Sequence, residues 1–84
     1  MNFNTWLDVF LEEKGIDLEQ TFELTSKQGL YNLIPYGVVV EHIKIANSSE
    51  QSAIKDMIVK IDFKNGDVKH FLRHLGQALV DSRD

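Results

Sequence analysis

Ala53, Ile54, Met57, Ile58 and Ile61 recur at the three- and four-residue spacing of an α-helix. Ser48 and Gln51 precede them at the spacing of a capping box, in which a side-chain oxygen takes one orphan amide of the first turn. This run constrains the fold most, because a helix here sends its isoleucines and methionine to one side and needs something apolar to cover them. The expected helix runs from Ser48 to about Asp62. One rival reading competes with it. Met57 to Lys64 would alternate as a strand, with Val59, Ile61 and Phe63 on a single face.

The rest of the chain fits a helical domain with a little sheet. Phe3, Trp6, Leu7 and Phe10 share a face of a helix from Phe3 or Thr5 to Lys14, with Leu11 at its edge, Asn2 or Asn4 as cap and Gly15 as the stop. Thr21 to Thr25 alternates, placing Phe22 and Leu24 on one side. Ser26 to Gly29 reads as a turn and Leu30 to Ile34 as the returning strand of a hairpin. Pro35 suits a helix start. After it Val39, His42, Ile43 and Ala46 gather on one helical face, flanked by Val38 and Ile45. Asn65-Gly66 marks a stop, Asp67 a cap, and Val68, Phe71, Leu72, Leu75 and Leu79 the core stripe of a last helix that frays from Asp81. Gly76, at the edge of that stripe, allows close approach of another helix. The expectation is one mainly α (α+β) domain over residues 1–84, in the order α-β-β-α-α-α. With 57–64 as a strand it becomes a more sheet-rich α+β domain.

Composition narrows the chemistry. A chain of 84 residues buries a modest fraction of its surface. It has no cysteine, which removes disulfides and thiolate metal sites and agrees with a reducing cytoplasm. Met1 is followed by Asn2, Asn4 and Asp8 rather than by positive charge and an apolar run, so no secretory leader or membrane span is expected. Net charge is −4, unevenly spread: residues 1–41 carry seven acids and two bases, residues 42–84 six acids and seven bases. The acidic half suits a basic partner or the C-terminal half of a second copy, or it is simply a solvated surface that favours solubility.

No motif for catalysis or cofactor binding emerges, and no cofactor is expected. His70 and His74, four apart, are weak metal candidates. Phe71 stands where an HExxH motif needs glutamate, and a firm zinc site wants three or four ligands. His42 lies amid an apolar face, so it reads as a core or interface histidine held by hydrogen bonds, or as the base of a small enzyme working with a carboxylate, although no nucleophile is fixed beside it in sequence. Lys69, His70, Arg73 and His74 make a mildly basic face. No basic arm or aromatic platform supports it, so nucleic-acid binding through the 67–81 helix is only an alternative. Asp17, Glu19 and Glu23 suit the guarding of a hairpin edge better than acid–base work. Most of the aromatic group Phe3, Trp6 and Phe10 is expected in the core, and some of it at a dimer contact. Tyr31 and Tyr36 flank the hairpin-to-helix join and are expected partly exposed, as contact residues. The favoured reading is a non-enzymatic cytoplasmic protein-interaction or regulatory module, self-association included.

Overall fold

A computed structural model describes residues 1–25, 29, 31–64 and 67–83, with the backbone alone for Tyr31, Ser82 and Arg83. Most of the Ser26–Gly29 turn, the start of the return strand at Leu30 and the Asn65-Gly66 stop lie outside the described residues. The elements follow in the order α1 (Phe3–Glu13), β1 (Thr21–Thr25), β2 (Tyr31–Pro35), α2 (Tyr36–Lys44), α3 (Ser48–Phe63) and α4 (Val68–Arg83). This is the expected small α+β domain, four helices and one antiparallel hairpin.

Each helix end has a local cause. Asn2 caps α1 by accepting the Thr5 amide at 2.8 Å. At the other end the Gly15 amide reaches Glu12 and the Ile16 amide reaches Leu11, while Gly15 takes a φ of 67°. That paired closure is a Schellman motif, and glycine adopts its left-handed position at no steric cost. Pro35 ends β2 and caps α2 without a side-chain bond. The loop before the hairpin supplies the missing acceptors, since the Tyr36 amide donates to the Gln20 carbonyl and the Gly37 amide to that of Leu18. A Cβ on Gly37 would stand 3.2 Å from the Leu18 oxygen, so the close approach uses the missing side chain. Asp67 caps α4 through the Lys69 amide at 2.9 Å.

The helix start between α2 and α3 lies one residue before the expected position. Asn47, not Ser48, is the cap. Its Oδ1 accepts the Glu50 amide at 2.8 Å and its Nδ2 donates to Glu50 Oε1 at 2.9 Å. The reciprocal box is therefore Asn47 with Glu50, and Ser48 is the first helical residue. Gln51 does other work: its Nε2 donates to the carbonyls of Ile43 and Lys44, which α2 leaves open at its C-terminus.

Segment 57–64 is helical to Phe63, so the strand rival is excluded. The inward face of α3 is nevertheless narrower than its sequence suggests. Ile58 alone is fully buried, Ile54 and Ile61 are half-buried, and Ala53 and Met57 face solvent. On α1, Leu7 and Leu11 form the buried centre, correcting the placement of Leu11 at the edge, while Phe3, Trp6 and Phe10 flank it half-buried. Phe22 and Leu24 of β1 point into the core as alternation requires, with Phe22 opposite Ile34.

The core joins these residues to Tyr36, Val39, Val40 and Ile43 of α2 and to Leu72 of α4. Among the described residues it holds no polar or charged member that counts as buried except the phenol of Tyr36. Gly76 lets α4 press against both the hairpin and α2. A Cβ there would lie 2.9 Å from the Phe22 ring and 3.2 Å from Val39. α1 lies alongside α3 in the same direction: Gln51 donates to Asn4, Lys55 sits 5.0 Å over the Trp6 ring, and Lys14 pairs with Asp62 at 2.7 Å. The last helix does not fray at Asp81 but continues to Arg83.

Candidate interaction surface

α2 carries apolar residues on two sides. Tyr36, Val39, Val40 and Ile43 face the core. Val38, His42 and Ile45, four and three residues apart, form the second stripe and face outward. Ile45, at the C-cap, is 79% exposed, and Val38 is exposed as well. His42 is half-buried on this outward stripe rather than central in the buried face, which corrects its expected position. The reason lies in the pitch. The core takes Val39 and Val40, which rotates the inward direction away from residue 42.

Three hollows meet at His42. The most apolar, about 210 Å³, runs between α2, α3 and α4, with Ile43, Ala46, Ile54, Leu75, Ala78 and Leu79 in its walls and Glu50 at its rim. A second of about 210 Å³ lies among Val38, Glu41, His42 and Ile45. A narrow one of about 50 Å³ links Val38 and His42 to Ile34 and Val80 above Gly76. Together they form one open, shallow groove with an apolar floor and the acids Glu41 and Glu50 beside it. His42 and a carboxylate thus share a surface, but Glu50 is engaged with Asn47 and no hydroxyl, thiol or amine stands among the groove-lining residues.

The other sequence candidates are dispersed. Tyr36, expected partly exposed, is the most buried aromatic residue: it is 0% exposed, its ring lies 4.8 Å from Phe22, and its hydroxyl accepts Arg73 Nε at 2.8 Å. The burial follows from position. Tyr36 opens α2 at the point where the hairpin folds back over it. The side chain of Tyr31 lies outside the described residues.

The basic face of α4 is partly engaged within the molecule. Arg73 holds Tyr36, and Lys69 Nζ donates to Gln20 Oε1 at 3.2 Å. His70 and His74 are exposed, with ring centroids 6.5 Å apart and edge-to-face. They share a hollow of about 210 Å³ with Glu23, Arg73 and Gln77. Among the described residues no three His, Cys, Asp or Glu side chains converge as metal ligands.

Another hollow, about 410 Å³, opens between Lys14, Asp62, Asp67 and Lys69. Its polar groups already hold partners: Lys14 pairs with Asp62, Lys69 donates to Gln20, and Asp67 accepts the α4 amide it caps.

The groove at His42 was only partly visible in the sequence. His42 stood out as polar among apolar neighbours, but the i, i+4, i+7 series of Val38, His42 and Ile45 is a second stripe that helical periodicity carried all along. No described helix is long and apolar enough to cross a membrane. In comparison with known proteins, the chain matches no family model, no curated protein and no solved structure.

Proposed function

We propose that this chain is a small, non-enzymatic protein-interaction module of the cytoplasm that takes an apolar protein segment into the groove at His42. One observation carries the reading: α2 presents Val38 and Ile45 to solvent, with the half-buried His42 between them, beside Ile54 and Leu79. Scattered single apolar residues are normal on a surface, whereas a contiguous concave patch rimmed by charge is characteristic of contact sites. The groove is open and shallow, which suits a protein segment better than a small substrate that must be enclosed. The absence of cysteine agrees with a reducing compartment.

The test is affinity capture from native cell extract, with and without nuclease, using the parent chain and Ile45→Glu. A protein identified by mass spectrometry that survives nuclease and is lost with Ile45→Glu supports the reading. Capture unaffected by Ile45→Glu removes the groove from consideration. Capture abolished by nuclease favours the α4 face with Lys69, His70, Arg73 and His74. That alternative has less support, because Lys69 and Arg73 already hold partners within the chain.

A further inference from the structure

α3 shows the same excess as α2. Ile54, Ile58 and Ile61 turn inward. On its outer side Val59 and Phe63, four residues apart, form a ridge next to Lys60 and Lys64. Phe63 is 87% exposed and Val59 is 48% exposed. At 100° per residue, Phe63 lies half a turn round the axis from Ile54, so the ridge and the groove are separate surfaces. A helix that is apolar on two sides needs two coverings, and among the described residues Phe63 is left 87% exposed and Val59 48% exposed.

The two leftover surfaces complement each other. The groove is concave and apolar, with Glu41 and Glu50 beside it. The ridge is convex and apolar, with Lys60 and Lys64 beside it. Of the nearby acids, Asp62 is already paired with Lys14, while Asp56, three residues before Val59 and four before Lys60, is exposed beside the ridge and offsets one of the two lysines. An apolar i, i+4 pair on a helix is the shape that helix-in-groove recognition uses.

Resting on the interaction-module reading above, we propose that the segment seated in the groove is the Val59–Phe63 ridge of a second copy of this chain. Each copy then offers one groove and one ridge. The contact is head-to-tail, and it propagates into a ring or an open chain rather than closing as a two-fold dimer. It covers both exposed apolar surfaces with a single interaction, and it sets Lys60 and Lys64 against Glu41 and Glu50 at the rim.

Sedimentation velocity on the full chain over a wide concentration range tests this, with Ile45→Glu breaking the groove and Phe63→Glu breaking the ridge. Far-UV circular dichroism verifies that both variants fold. Ile45→Ser and Phe63→Ser provide a milder pair if either does not. The parent should exceed the mass of one chain, and its average mass should grow with concentration beyond a dimer. Each variant alone should associate at least about tenfold more weakly, as expected when a charge replaces an apolar anchor. Mixed in equal amounts, the two variants should form a dimer and nothing larger, since one intact groove and one intact ridge remain between them. A parent that stays monomeric throughout overturns the proposal. So does a dimer lost with Ile45→Glu but kept with Phe63→Glu, or a mixture that fails to pair. A monomeric parent that still captures a foreign protein through Ile45 sinks this inference and leaves the module reading standing. A monomeric parent that captures nothing sinks both.

Discussion

The phenol of Tyr36 is fully buried and has Arg73 as its partner, so a surface cation is tied to the centre of the core. The energetic consequence is asymmetric. Removing the donor leaves a buried hydroxyl unsatisfied, which costs about 1–3 kcal/mol, whereas removing the hydroxyl frees Arg73 to be solvated where it is. Arg73→Ala should therefore destabilise the protein by about 1–2 kcal/mol. Tyr36→Phe should change stability by less than about 1 kcal/mol, and adding Tyr36→Phe to Arg73→Ala should recover most of the loss. Urea unfolding of the three variants measures this. Equal losses for both single variants would show that the hydrogen bond is not what Arg73 contributes. The same contact bears on the nucleic-acid alternative, because a charge reversal at Arg73 also disturbs the core and cannot serve by itself as a test of binding.

Among the elements, α3 divides what sequence makes legible from what it does not. Its helical winding is plain in the spacing of Ile54, Ile58 and Ile61, and its cap is plain to within one residue. Asn47 and Ser48 are both good caps, and residue type alone does not choose between them. Asn47 prevails because Glu50, three residues on, completes a reciprocal pair with it. Asn47→Ala should accordingly cost about 1 kcal/mol, and Ser48→Ala no more than a few tenths. Thermal unfolding of the two variants checks the assignment, and the reverse order would restore Ser48 as the cap.

What spacing could not supply was the width of the buried stripe. Met57 sits at helical spacing from Ile54 and Ile61, yet it is 48% exposed while its neighbour Ile58 is fully buried. Tyr36 failed in the opposite direction. Its place at the hairpin-to-helix join suggested partial exposure, but the hairpin register that folds Phe22 onto it is a long-range fact. His42 fell between the two. Periodicity placed it among apolar residues correctly, but on which of two stripes depended on where α4 and the hairpin press.

For the molecule as a whole, the apolar residues of two helices exceed what one small core can take. A chain of this length buries a limited share of its surface, and among the described residues α2 leaves Val38 and Ile45 exposed and α3 leaves Val59 and Phe63 exposed. The hydrophobic effect makes such residues costly to keep in water, and the proposed groove-to-ridge contact between copies would remove that cost. The most direct test is a dilution series of ¹H–¹⁵N correlation spectra of the full chain. If copies join groove to ridge, the amides around Ile45, Ala46 and Leu79 and those around Val59 and Phe63 should shift together with concentration, along curves that share one dissociation constant. Spectra that do not change with concentration, or shifts confined to only one of the two surfaces, would contradict the account.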